Sequence, residues 1–316
     1  MPGQVYSVNT LGGSLSQPYL SQKLRGLAQP MFRWRQFVDA KEAIGKNRGD
    51  TFLFDKTQNV QTQGGTLVET NTIPETQFTI NQGTAIITEY GNAVPFTGKL
   101  DSLAQFQIEP QIEQRLRDDM VKVLESACGT QYVATEFIAV CSATNNVVFT
   151  TNGTATATAT ANLTAANTRS IVDFMKKKLI PKYDGRNYIC VASVAALSGM
   201  HSDTGAGGWN DISKYTAEFA KNIFSGEVGE YYMTRFVEET GFLSNAIGST
   251  SIYGQAVFFG NDQVYEAVAC PEEIRVKNPQ DYNRDMGLAW YALLGFKIVW
   301  NFTNDAEQHI VYVTSA

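Results

Sequence analysis

The sequence predicts an α+β fold made largely of extended segments around one long helix. Short runs of β-branched and aromatic residues, punctuated by Gly and Asn, fill residues 49–99 and return from 187 to the C-terminus. One amphipathic helix pattern spans 102–128, and neither a heptad nor a 20–50-residue repeat is present. The chain has 316 residues, 43% of them hydrophobic and 18% charged, which is enough apolar material for a sizeable core. The length suggests about two domains.

Composition removes several classes. The net charge is −6, against the basic character of most groove-reading nucleic-acid binders. The longest apolar stretch, 286–300, is interrupted by Lys297 and is too short for a bilayer. No basic segment followed by an apolar one opens the chain, so no secretory signal is expected. Cys128, Cys141, Cys190 and Cys270 are scattered without a CxxC pair, which predicts reduced, buried thiols in a protein made in a cytosol.

Residues 1–48 carry seven bases against two acids, while the remainder is net acidic. This segment reads as an arm, either facing an acidic partner or simply solvated. Residues 49–99 hold eleven of the thirty threonines. The runs 51–54, 66–68, 77–80 and 84–88, separated by Gly64-Gly65 and Asn81-Gln82-Gly83, predict a long β-hairpin or meander. A two-stranded ribbon is marginal in water, so this one needs a surface to lie on, and a second copy of the chain would serve.

The helix over 102–128 is predicted from Ile112, Leu116, Met120, Val123 and Ala127 on one face. Asp101 or Ser102 is its expected cap, Pro110 a kink or its true start, and Gly129 its stop. Val147 to Thr151, Asn152-Gly153 and the Thr/Ala alternation of 154–161 predict an exposed hairpin ribbon with a type I′ turn. Thr164 is placed to cap a second helix that ends before Pro181. Beyond it, strands are predicted at 188–192, 233–237, 256–259, 264–268, 288–301 and 310–314. A helix is predicted at 211–224 and a Gly/Ser loop at 241–252.

No catalytic or metal-binding pattern stands out, and no catalytic, cofactor-binding or metal-ligating residue is assigned. P-loop, GxGxxG, GxSxG and HExxH motifs are absent. The two histidines, His201 and His309, lie far apart in sequence, and contiguous His201-Ser202-Asp203 is not the spatial arrangement of a triad. Gly205 to Gly208 reads as a flexible loop. Glu238-Glu239 and Glu272-Glu273 are adjacent pairs, which point to opposite faces of a strand. A non-enzyme is predicted.

The order of elements resembles the major capsid protein of tailed bacteriophages, the Hong Kong 97-type fold, and is most similar to the N-four type coat-protein family. The residues that carry the likeness are 83–92, ending in Tyr90-Gly91-Asn92; 224–229 followed by Arg235 to Glu238; 253–260; and Met286 to Trp290. Together they run in order from about residue 20 to the end. The 147–161 ribbon departs from the pattern as an insertion, and no lysine–asparagine crosslinking pair is assignable.

The resemblance implies an N-terminal arm (1–48) and an extended β E-loop (49–99). A peripheral domain would follow at 100–185, with its spine helix at 102–128 and the ribbon at 147–161. An axial domain (186–275) and a C-terminal return (276–316) would complete it. It implies self-assembly into hexamers and pentamers of an icosahedral virion capsid, built in the host bacterial cytoplasm with no membrane. Scaffolding, portal and decoration proteins are the implied partners, and double-stranded genomic DNA is enclosed without sequence preference. The expected intersubunit contacts are Phe52, Phe54, Lys56, Leu67, Val68, Phe78, Ile80, Glu113, Arg117 and Glu227. Ile112, Leu116, Met120 and Val123 form the helix core. An encapsulin-type nanocompartment shell, or a cytosolic enzyme or binding domain, is the alternative.

Overall fold

The computed structural model describes residues 33–42, 49–57, 64–104 and 107–202 with single omissions at 71, 74, 79, 105 and 106, then 209, 224, 226–243, 254–300 except 280 and 283, and 308–316. The strands are β1 (Asp39–Glu42), β2 (Thr51–Thr57), β3 (Ile80–Ile86), β4 (Thr88–Thr97), β5 (Ile138–Ala143), β6 (Asn146–Thr150), β7 (Tyr188–Ser193), β8 (Glu227–Tyr231), β9 (Thr234–Glu239), β10 (Gly254–Phe259), β11 (Val264–Val276), β12 (Asp285–Ile298) and β13 (Ile310–Ser315). The helices are α1 (Gly98–Leu103), α2 (Ile108–Val133), α3 (Ala165–Lys177) and α4 (Val194–His201). They form a four-stranded sheet in the order β1-β11-β12-β4, a seven-stranded sheet β6-β5-β13-β10-β7-β9-β8, and the separate hairpin β2-β3.

The long helix is α2. Its 26 residues give a length of about 39 Å. It begins six residues later than the periodicity suggests, because Pro110 sits in its first turn, where a missing N–H costs nothing. The preceding residues form the separate α1, whose cap is Thr97 rather than Asp101 or Ser102: Thr97 Oγ1 accepts from the Leu100 N–H. Gly129 does not stop α2. A Cβ there would lie 2.7 Å from the Phe242 ring, so the glycine serves close packing within a continuing helix.

Ile112 and Leu116 are buried, and Met120, Val123 and Ala127 pack against the same core. That core lies between α2 and one face of β12, where Leu288, Trp290, Ala292, Leu294 and Phe296 alternate inward. Asp119 pins the helix to the sheet: its carboxylate accepts from Trp290 Nε1 at 2.9 Å and from Asn92 Nδ2 at 3.0 Å.

The seven-stranded sheet is covered on both faces, which explains its unbroken apolar strands. Ile189, Val191, Val257 and Phe259 face the α2 core, while Tyr188, Cys190, Ala192, Ala256 and Phe258 face α3 and α4. Thr164 caps α3 as expected, accepting from the Asn167 N–H. The predicted strands from 188 onward are present, although Met233 belongs to the β8–β9 turn and the run predicted at 288–301 is strand only as far as Ile298, within β12. The 211–224 helix and most of the 241–252 loop lie outside the described residues. Cys128, Cys141 and Cys190 are buried free thiols; Cys270 is only half-buried.

Two readings of the sequence are corrected. Residues 147–150 pair with β5 through a turn at 144–145, and 154–161 is not a strand. The Asn152-Gly153 turn instead redirects the chain, and Thr160 and Ala161 donate to the Cys141 carbonyl. The chain passes from the four-stranded to the seven-stranded sheet after Val133, returns after Phe259, and ends in the seven-stranded sheet as β13. The arm does not extend to residue 48: Trp34 and Phe37 are buried in the α2 core, and β1 pairs in parallel with β11. The Glu125 carboxylate on α2 holds this entry point by accepting from the backbone N–H groups of Arg33, Trp34 and Arg35. Arg35 is neutralised within the chain by Glu266 and Glu272.

Leu116→Ala is expected to cost about 2–5 kcal/mol by denaturant unfolding, from lost burial plus the cavity. Leu116→Asp is expected to abolish soluble folding, because it strands a carboxylate on the apolar face. A soluble, cooperatively melting Leu116→Asp protein would contradict the placement of this face.

Candidate assembly surface

The β2–β3 hairpin has two chemically different faces. Its register pairs Phe52 with Ala85 and Phe54 with Gly83, so these side chains share one face with Lys56. The opposite face carries Thr51, Leu53, Asp55, Thr57, Ile80, Gln82, Thr84 and Ile86.

The first face docks on the body. Phe54, only 8% exposed, packs with Ala85, Tyr265, Ala267 and Val299, and Phe52 lies against the same cluster. The Phe54 and Tyr265 rings meet edge to face at 5.1 Å. Two glycines make room. A Cβ on Gly83 would run into the Phe54 ring, and one on Gly295 of β12 would run into the Ile86 carbonyl. The hairpin root therefore lies on the face of the four-stranded sheet opposite α2.

Lys56 fastens this root. Its Nζ pairs with Asp262, donates to Tyr265 Oη at 2.9 Å and stands 4.8 Å from the centre of the Trp300 ring. Trp300 in turn stacks on His309 at 4.8 Å. Burial alone would raise the Asp262 carboxyl. The hydrogen bonds from Lys56 and Tyr265, with the lysine's charge, outweigh it and hold the group below its ordinary value. Burial lowers the His309 imidazole, against the hydrogen bond to the Asn261 carbonyl (2.7 Å) and the charge of Asp262.

No described residue covers the second face. Leu53, Ile80 and Ile86 are 53%, 56% and 62% exposed, and beyond the ladder Leu67, Val68, Ile73 and Phe78 are exposed to a similar degree. The ladder ends at the Thr57–Ile80 pair, so 66–68 and 77–78 are not strands. A run of exposed aliphatic side chains on this scale marks a surface made to be covered.

The ten expected contact residues thus separate into groups. Leu67, Val68, Phe78 and Ile80 point outward, and Phe52, Phe54 and Lys56 anchor the loop to its own body. Glu113 and Arg117 form an exposed i,i+4 pair on α2. Glu227 is buried, bonded to Arg235 at 2.9 Å and to the Phe224 N–H, and so is a structural group of the β8–β9 hairpin. Leu53, Ile73 and Ile86 belong to the outward face and were not picked out from the sequence. For Leu53 and Ile86 the signal was the strict alternation within β2 and β3.

Acid is expected to loosen the hairpin root in two stages. Unfolded chains protonate His309 near pH ~6.5 while the folded chain keeps it neutral, so its contribution is present above that pH and falls as pH drops toward the lowered native value. Asp262 contributes above its unfolded value of ~3.9 and loses that contribution as pH falls through its lower native value. Trp300 is the built-in reporter. Its fluorescence should change on acidification from neutral pH to about 5, and His309→Gln should flatten this first stage. An unchanged titration in the His309→Gln protein would contradict the assignment.

No protein-family model matches the sequence, and no curated protein matches it. Solved structures do. The capsid of Ralstonia phage GP4 is 16% identical, with 98% of this chain and 97% of that one covered at a TM-score of 0.65. The head structure of Helicobacter pylori bacteriophage KHP40 is 9% identical, with 95% of each chain covered at a TM-score of 0.68. The capsid of the native GTA particle is 15% identical, with 97% of each chain covered at 0.63. Coverage is near-complete in both directions. The chain has the Hong Kong 97-type fold of phage capsid proteins.

Proposed function

We propose that this chain is the major capsid protein of a tailed phage, assembling as hexamers and pentamers into an icosahedral shell around double-stranded DNA. The supporting observation is the hairpin's outward face. The chain spends two strands and a long loop presenting Leu53, Leu67, Val68, Ile73, Phe78, Ile80 and Ile86 to solvent, and its own body buries none of them. A neighbouring copy supplies the missing cover. Stable protein interfaces bury about 1,600 Å² in total, and obligate assemblies exceed this. Repeated around a closed shell, such contacts resist outward pressure without covalent bonds.

In this reading α2 with the four-stranded sheet is the peripheral domain, and the seven-stranded sheet with α3 and α4 is the axial domain. The basic N-terminal segment, expected from the sequence as an arm over 1–48, meets a scaffolding protein or the enclosed DNA. Portal and decoration proteins complete the particle in the host cytoplasm. No described helix is long and apolar enough to cross a membrane.

Negative-stain microscopy with light scattering on purified protein tests the proposal. Closed shells tens of nanometres across, or rings of five and six, are expected, with or without added scaffold. Deleting 61–75 should leave a soluble, cooperatively melting chain that forms none. Normal shells from the deletion would refute the interlocking role, and a wild-type protein that stays monomeric with its scaffold present would refute the capsid reading.

A further inference from the structure

One surface on the axial side is not explained by packing within the chain. Leu179 follows α3 with φ +58° and is 87% exposed; Tyr232 and Met233 form the β8–β9 turn with φ +46° and +60° and are also exposed. Left-handed backbone is unfavourable for large side chains, and here three of them adopt it, turned outward. Lys176 links them: its carbonyl accepts from the Leu179 N–H at 3.0 Å and its ammonium reaches the Tyr232 ring.

The surrounding charge is positive. Residues 169–186 carry six bases against two acids in a chain that is net acidic. The Lys176 Nζ lies 4.5 Å from the centre of the Tyr232 ring, and the Lys182 Nζ is 3.6 Å from Met233 Sδ. Asp173, the nearby acid, accepts from Tyr232 Oη at 3.1 Å and pairs with Lys176 at 3.5 Å. Lys177 is exposed between them.

A surface of this kind fits a segment that is both acidic and apolar. The chain contains one. Between Lys56 and Lys99 there is no base, while Glu69 and Glu75 stand among the exposed Leu67, Val68, Ile73 and Phe78. A nucleic-acid backbone would satisfy the lysines but leave Leu179, Tyr232 and Met233 without apolar partners.

We propose that the patch formed by Leu179, Tyr232 and Met233 with Lys176, Lys177 and Lys182 is the seat for the 67–78 segment of a second copy. This rests on the capsid reading and names the place where the loop's far end docks. The apolar side chains supply the buried contact, and the lysine–glutamate pairing sets which way the segment lies.

Crosslinking in assembled shells tests it. In a Cys270→Ser chain, Leu179→Cys is combined in turn with Leu67→Cys, Ile73→Cys or Phe78→Cys and treated with a bismaleimide. At least one pairing should give covalent multimers on denaturing gels, absent from the single variants and from unassembled protein. Shells in which all three pairings stay monomeric would overturn the proposal. Independently, Lys177→Glu/Lys182→Glu should slow shell formation about tenfold, and adding Glu69→Lys/Glu75→Lys should restore it. A Lys177→Glu/Lys182→Glu chain that assembles at the wild-type rate, or one that the Glu69→Lys/Glu75→Lys change fails to restore, would overturn the proposal. If that variant also loses binding to a double-stranded oligonucleotide, the patch belongs to a polyanion. If the wild-type protein forms no shell with its scaffold, the capsid reading fails first and this seat with it.

Discussion

The burial of one face of strand β12 under α2, with Gly295 admitting the hairpin root on the other, is the constraint on which the rest depends. Inward residues Leu288, Trp290, Ala292, Leu294 and Phe296 take the apolar side of α2, and the Asp119 bridge to Trp290 and Asn92 fixes the helix against the sheet. On the reverse face Gly295 lets the Ile86 carbonyl approach, so the hairpin root has somewhere to lie. The same strand pairs with β4 along ten residues and with β11 on its other side. Loss of its alternation would detach helix, hairpin and sheet together.

From that frame the division between anchored and exposed follows. The hairpin is long enough to have a root and a reach. Phe54 and Lys56 hold the root through an aromatic contact and a shielded ion pair. Among the described residues, the other face and the far loop have no cover. In the proposed shell, that cover comes from a neighbouring copy.

Much of this was readable from the residues. The α2 stripe, the Thr164 cap, the buried strands at 188–192 and 256–259 and the hairpin's location each follow from periodicity or capping chemistry. The errors share a cause: local signals were overruled by contacts distant in sequence. Gly129 reads as a stop until Phe242 is seen to need its space. Asn152-Gly153 reads as a hairpin turn, yet β6 already has its partner in β5. Trp34 and Phe37 read as part of a basic arm because their burial depends on α2, more than seventy residues away along the chain. Among the contact candidates, outward and anchoring residues were indistinguishable by type. Phe54 and Phe78 are the same side chain, and only the register against Tyr265 sends one inward.

In the proposed shell, Leu53, Phe78, Ile80 and Ile86 are covered by a neighbouring copy. Hydroxyl-radical footprinting with mass spectrometry reads side-chain exposure directly, in free subunits and in assembled particles of the same chain. These four residues should be oxidised readily in the free subunit and become several-fold protected on assembly, while buried Phe54 stays protected in both. Equal oxidation of the four residues before and after assembly would contradict the account.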